Sequence, residues 1–238
     1  MNVELNTKVG ELVMARPETM RYFERLGIDY CCGGHRSLEE ACRVANQAPA
    51  EVLKNLEALE PFQAGIPSPR DWAQAPLADL TQHIVATHHD YLREEMPRLE
   101  FLLEKVLRAH GERHSELARV GELYRALVAD LTPHMMKEEQ ILFPFIGQLE
   151  QGLSGSSCFG TVQSPIRVME LEHEAVGALL VELRELTGAY TVPEDGCATF
   201  RALYDGFQTL EEDLHLHIYL ENQILHPRAV ALESSVQA

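Results

Sequence analysis

One fifteen-residue pattern occurs twice in this chain, and it narrows the fold sharply. The first copy opens at Asp130-Leu131, carries His134, Glu138, Gln140, Ile141 and Leu142, and closes at Pro144. The second opens at Asp213-Leu214, carries His217, Glu221, Gln223, Ile224 and Leu225, and closes at Pro227. Eight positions are identical and the copies lie 83 residues apart. Each contains His-x-x-x-Glu. On a helix, positions i and i+4 share a face, so an imidazole and a carboxylate stand side by side, twice. Two such pairs on facing helices could hold a two-metal centre.

The repeat extends upstream. His89 precedes His134 by 45 residues, and His173 precedes His217 by 44. Each half therefore reads as a helical hairpin, with a histidine on its first helix and a His/Glu pair on its second. The expected helices are 77–108, 115–149, 166–188 and 195–225, broken at Gly111, at the Gly/Ser-rich stretch 152–164 and at Pro193. Pro97 and Pro133 fall inside helical patterns and should bend or locally break them. No Val/Ile-rich alternating run argues for a sheet. The fold class is all-α: a small N-terminal helical domain over 1–60, a Pro-rich linker over 61–76, and an antiparallel four-helix bundle over 77–230.

The six candidate ligands lie on apolar stripes of helical period. His89 aligns with Val85, Leu92, Met96 and Leu103. His173 aligns with Met169, Val176 and Leu180. His134 and Glu138 align with Leu127, Leu131 and Ile141, and His217 and Glu221 with Leu210, Leu214 and Ile224. A buried carboxylate is costly unless paired or metal-bound. A single His-x-x-x-Glu reads best as a local surface pair; two in matched apolar registers favour metal. Four imidazoles and two carboxylates are used fully when both carboxylates bridge two ions. Nitrogen and oxygen donors without thiolate suit iron, without excluding manganese or zinc. The histidines argue against calcium or magnesium. Asp130, Asp213 and Glu172 read equally well as groups orienting ligand histidines or as ordinary solvated acids. His83, His88, His110, His114, His215 and His226 read as surface, cap or packing residues.

In the N-terminal domain, Pro17 fits a helix start and Gly27 a helix end. Ser37 with Glu40 makes a capping box, and a further helix is expected over 50–59. Between them lies Cys31-Cys32-Gly33-Gly34. Adjacent cysteines rarely form a disulfide. Their residues alone leave two readings open: paired functional thiols, or a buried inert pair at a helix end. Cys42, Cys158 and Cys197 show no ligand spacing. The chain carries 37 acidic and 20 basic side chains, a net charge of −17, which argues against nucleic acid or an anionic membrane as a main partner. No segment resembles a signal peptide or a span of about 20 apolar residues, so a cytoplasmic protein is expected. An odd count of five cysteines does not look like a disulfide framework.

Asp29-Tyr30-Cys31-Cys32-Gly33-Gly34, the His134-x-x-x-Glu138 segment running to Pro144, Val168 to His173, and His217-x-x-x-Glu221-Asn222 together resemble the iron–sulfur cluster repair di-iron family, also called repair-of-iron-centres proteins. The resemblance covers nearly the whole chain. It implies a hemerythrin-like bundle holding two non-haem iron ions, oxo- or hydroxo-bridged. The implied ligands are His89, His134, His173 and His217, with bridging Glu138 and Glu221. It implies that Cys31 and Cys32 serve the family's reaction, restoring iron–sulfur clusters damaged by nitric oxide or oxidants. Expected partners are damaged or apo iron–sulfur proteins, with nitric oxide or oxygen as small ligands; a homodimer is compatible with this. An iron donor or repair protein is expected rather than a turnover enzyme. The alternatives are a hemerythrin-like module that binds or senses oxygen or nitric oxide, and a di-iron oxidase or peroxidase. The thiols favour repair, and a histidine-rich ligand set disfavours the oxidase.

Overall fold

The computed structural model describes residues 3–59, 72–153 and 160–236. Most of the expected linker and Cys158 lie outside the described residues. The regular secondary structure among the described residues is helical, with isolated bridge positions such as the antiparallel pair Lys8 and Ser37. The chain divides into two compact units: Met1–Pro76 with His215–Arg228, and Leu77–Leu214 with Ala229–Ala238.

The first unit begins with α1 (Val9–Ala15), a 3-10 turn at Pro17–Thr19 and α2 (Met20–Leu26). Gly27 ends α2 in the left-handed region at φ 66°, as its position suggested. α3 (Leu38–Val44) starts at Ser37, whose Oγ accepts from the Glu40 N–H at 3.2 Å. α4 (Pro49–Glu57) follows. Its terminal carbonyls are satisfied by Arg16, whose guanidinium donates to Leu56 O at 2.8 Å and Leu59 O at 2.9 Å. Val9, Leu12, Phe23, Tyr30, Leu38, Cys42 and Leu56 form the core. Arg228 donates to the carbonyls of Trp72 and Ala75, both at 2.6 Å.

From Leu77 onward the chain forms two helical hairpins. α5 (Leu77–Ile84) passes through a π turn, Val85–His89, into α6 (Asp90–His110). α7 (Glu116–Lys137) passes through a π turn, Glu138–Leu142, into α8 (Phe143–Glu150). α9 (Gln163–Leu186) is uninterrupted. α10 (Ala198–Tyr219) leads through a third π turn, Leu220–Leu225, into α11 (His226–Val236). The unit boundary at Leu214 falls inside α10.

Each hairpin closes in the same way. Glu150, the last residue of α8, accepts from the Leu77 and Ala78 N–H groups at 2.6 and 2.9 Å, capping the start of α5. Glu233 in α11 accepts from the Val162 N–H at 2.9 Å, capping the start of α9. The two glutamates are 83 residues apart, so the internal repeat reaches beyond the fifteen-residue pattern. Carboxylates at helix N-termini satisfy free donors and complement the helix dipole. These contacts put each hairpin's ends together, which is antiparallel packing. Tyr124 packs on Phe207 with ring centroids 5.2 Å apart, and its hydroxyl donates to Met96 O at 2.6 Å. At Gly206, a Cβ would meet Leu99 at 2.4 Å, so α10 and α6 approach closely there.

Three expectations differ from the structure. Of the expected bend or local break at Pro97 and Pro133, the break does not occur: both lie inside continuous helices, α6 and α7. The irregularities are the π turns instead, and two of these immediately precede Pro144 and Pro227. A proline cannot donate to the carbonyl four residues back and clashes with it, so an extra residue inserted just upstream relieves the conflict. The fourth helix also does not end at 225, because Pro227 sits in the first turn of α11. The π turn over 138–142 further shifts the apolar register by one residue. Ile141, expected inside, is 46% exposed, and Leu142 is buried in its place.

Candidate metal centre

All six candidate ligands are buried. His89, His134, Glu138, His173, His217 and Glu221 are between 0 and 2% exposed. Three of them stand in or beside π turns: His89 ends the first, Glu138 opens the second, and Glu221 lies in the third. π turns frequently mark functional positions, because the inserted residue re-aims side chains.

In the second unit Glu138 is the hub. Its Oε2 lies 3.3 Å from His89 Nε2, and its Oε1 lies 3.2 Å from His134 Nε2. One carboxylate thus faces two different imidazoles, one with each oxygen. His173 Nε2 is 3.1 Å from His134 Nε2. His134, Glu138 and His173 each offer a ligand atom within 4.8 Å of the others.

Carboxylates outside this cluster fix the imidazoles. Glu139 Oε1 lies 2.6 Å from His89 Nδ1, and Glu172 Oε2 lies 2.9 Å from His134 Nδ1. Each carboxylate accepts the Nδ1–H, which presents the Nε2 lone pair to the centre. Arg93 pairs with Glu139, and Lys137 pairs with Glu172. Burial acts to raise both carboxyls. For Glu139 the His89 and Arg93 hydrogen bonds outweigh it, and for Glu172 those of Lys137 and His134 do, so both are held below the usual range.

This donor set fits a cation. With His134 Nδ1–H given to Glu172, His134 Nε2 is an acceptor facing a second imidazole nitrogen. A metal ion satisfies both lone pairs at once, and also the buried Glu138 charge between them. In the first unit the second repeat shows the same local pair: His217 Nε2 is 3.1 Å from Glu221 Oε1.

The cysteine turn belongs to the first unit. Asp29 accepts from the Cys31 N–H at 3.0 Å and the Gly33 N–H at 2.8 Å, which holds the turn. The Cys31 thiol donates to Asp29 Oδ1 at 3.3 Å. Asp29, Cys31 and Cys32 each offer a ligand atom within 4.8 Å. Cys31 is buried and Cys32 half-buried. The hydrogen bond with Cys32, followed by burial, pushes the Cys31 thiol well up, so it stays protonated near neutral pH. The turn is seated on the helix that carries the second repeat. Gln223 Nε2 donates to Cys31 O at 2.8 Å. Gly10 and Gly34 leave room for the Gln223 side chain: a Cβ on either would lie 2.6 or 2.5 Å from it. Tyr219 donates to Gly10 O at 3.3 Å and packs edge-on against Tyr30 at 5.8 Å.

Of the three acids left open by sequence, Glu172 orients a candidate ligand, His134, 38 residues away. Asp213 pairs with His88 at 2.8 Å, and His88 is buried, which is the packing alternative of its reading. Asp130 is exposed. Glu139 was not singled out from sequence. The signal was its place next to Glu138, but its partner lies 50 residues away, on another helix.

The Hemerythrin HHE cation binding domain family matches residues 80–229. A second family, ScdA_N, described as a domain of unknown function, matches residues 5–60. The chain is 40% identical over 225 residues to the iron-sulfur cluster repair protein YtfE of Yersinia pseudotuberculosis. It is equally similar to the proteins of that name from Yersinia pestis and Escherichia coli. In each case the match covers 94% of this chain and 97% of the relative.

Proposed function

The chain belongs to the hemerythrin HHE family, among the iron-sulfur cluster repair proteins of the YtfE type, and on that premise we propose that it repairs damaged iron–sulfur clusters from a bridged pair of non-haem irons. His89, His134, His173 and His217 would hold the irons together with Glu138 and Glu221, the two carboxylates that would be shared between the ions. The observation that carries this reading is Glu138, a fully buried carboxylate with each oxygen against a different imidazole. The matched second repeat supports Glu221 in the same role. Iron held this way supplies an exchangeable metal and a position for nitric oxide or oxygen.

The protein's own residues do the rest. Glu139 and Glu172 hold the Nδ1 protons of His89 and His134, so both imidazoles bind in one tautomer. Burial of all six donors excludes water. Cys32, the more accessible thiol of the pair, meets the damaged partner, while Asp29 keeps the turn in shape. Damaged or apo iron–sulfur proteins are the partners. The described cysteines are free, which suits a reducing compartment such as the cytoplasm. No described helix is long and apolar enough to cross a membrane.

The test pairs metal analysis with repair. Purified protein should carry two irons per chain and show the near-ultraviolet absorption of a bridged ferric pair. Added to a nitric-oxide-damaged cluster enzyme, it should restore activity beyond an equal amount of free ferrous iron. One zinc per chain and no iron bands would refute the centre. A full iron load without recovery would leave the oxygen- or nitric-oxide-binding reading in place of repair.

A further inference from the structure

The geometry points to a second, separate cation site, formed by His110, His114 and Asp195 and suited to zinc-class divalent ions. His110 is the last residue of α6, and His114 lies in the turn before α7. Asp195 lies in the loop between α9 and α10. Each of the three offers a ligand atom within 4.8 Å of the others. His110 stands 21 positions beyond His89 along the same helical run, so about 30 Å separates the two at 1.5 Å per residue. This cluster is therefore no part of the candidate iron centre, and nothing in the proposed repair reaction uses it.

The site is pre-shaped. The Arg113 and His114 N–H groups both donate to His110 O at 2.9 Å, which fixes the turn between the two histidines. Asp195 is presented by a tight loop in which the Gly196 N–H donates to Pro193 O at 2.8 Å. A Cβ on Gly196 would meet the Pro193 carbonyl oxygen at 2.8 Å as well as Val192 Cγ1 at 2.5 Å, so the loop favours that glycine. Phe200 walls the pocket, its ring edge-on to both imidazoles at 5.2 and 5.8 Å. His114 Nδ1 lies 3.1 Å from Glu116 Oε1, and its Nε2 lies 2.9 Å from Asp195 Oδ1. With its Nδ1–H given to Glu116, His114 directs the Nε2 lone pair at the ligand position, an arrangement common around bound zinc. Two imidazoles and a carboxylate favour zinc over calcium or magnesium, and three protein donors leave a fourth position for water.

A competing cation marks the same spot. Arg113 approaches Asp195 Oδ2 at 3.3 Å and His110 Nδ1 at 3.4 Å. Its guanidinium neutralises the cluster in the absence of metal and is displaced when an ion binds. The ion then staples the α6–α7 turn to the α9–α10 loop, joining one hairpin to the other.

The test uses the iron-loaded full chain, titrated with Zn2+ against a chromophoric chelator while the iron absorption is followed. The expected result is one equivalent of Zn2+ taken up with the iron retained. Uptake should weaken about tenfold or more in His114→Gln and in Asp195→Asn. Both residues are partly exposed, so the variants should fold, and circular dichroism checks this. Arg113→Ala should bind Zn2+ more tightly than the parent, which a merely structural ion-pair cluster would not do. The inference is overturned if the parent takes up no Zn2+, if uptake is the same in both weakened variants, or if iron leaves in step as Zn2+ enters.

Discussion

Gly34→Ala should release the cysteine turn from its seat on Gln223. The new Cβ would lie 2.5 Å from Gln223 Cδ, 2.6 Å from Gln223 Nε2 and 2.5 Å from Tyr30 O. The glutamine can swing away, but the Tyr30 carbonyl is backbone and cannot. Overpacking of this kind costs about 1–3 kcal/mol. Displacing Gln223 also removes its hydrogen bond to Cys31 O, worth about 1 kcal/mol. The local opening of the turn should therefore become easier by about 2–4 kcal/mol, or roughly thirty- to several-hundred-fold in the open population. The assay is the labelling rate of Cys31 by a neutral maleimide, assigned by mass spectrometry. Cys31 is 5% exposed and labels only through opening, whereas exposed Cys197 serves as the internal standard. Gly27→Ala is the control: its φ of 66° makes alanine strained by about 1 kcal/mol, yet a Cβ there meets nothing within 4 Å. Adding Gln223→Ala to Gly34→Ala should recover part of the protection by removing two of the three clashes. If Cys31 in Gly34→Ala labels within twofold of the parent while the fold is intact, the seat does not hold the turn.

Other outcomes follow from the same geometry. Glu139→Ala and Glu172→Ala should each weaken iron binding about 10- to 100-fold, read by competition with a chelator, because each frees a ligand imidazole to rotate. Cys32→Ser should abolish recovery of a nitric-oxide-damaged enzyme while iron content is unchanged, and Cys31→Ser should impair it less; loss of iron absorption in the double serine variant would show that the thiols support the metal. The Asp195 hydrogen bond raises the folded His114 value, so that contribution to stability is full below about pH 6.5 and fades as pH rises through the raised value. The Asp195 carboxyl is held low by His114, so its contribution is present above about pH 4 and fades as pH falls through the lowered value. In zinc-free buffer, the urea midpoint difference between the parent and Asp195→Asn should therefore be largest between those limits.

The two-hairpin bundle and its six buried donors were legible because helical period and repeat spacing are properties of the chain alone. His89 and His173 could be paired with their motifs only because the second half repeats the first. What stayed hidden depends on contacts between helices. Glu139 orients a histidine 50 residues upstream, and no local pattern announces that pairing. Glu150 and Glu233 cap helices that begin 73 and 71 residues earlier. The π turns were half legible: Pro144 and Pro227 required some irregularity upstream, but the turn ending at His89 has no adjacent proline. Pro97 and Pro133 gave the opposite lesson, since a long packed helix tolerates a proline that an isolated one would not. The seat of the cysteine turn needed coordinates, because Gln140 has the same place in the first repeat and is exposed there.

Each π turn also sets how the chain can change length. An α-helix turns by about 100° per residue, so one residue added or removed rotates everything beyond it by that angle. Between Lys137 and Phe143 the helix has already absorbed one such step. Deleting Gln140 or Ile141 would restore a regular helix and leave Leu142, Phe143, Phe145, Ile146 and Leu149 on the face they now pack, but it would remove the wide turn that aims Glu138. The same deletion in a regular stretch of helix would cost the core instead, so the chain has no silent place within these helices to lose a residue. Lineages of such chains should therefore vary in length in the connections between helices, and hold fixed the residue count from each histidine to the proline that follows it.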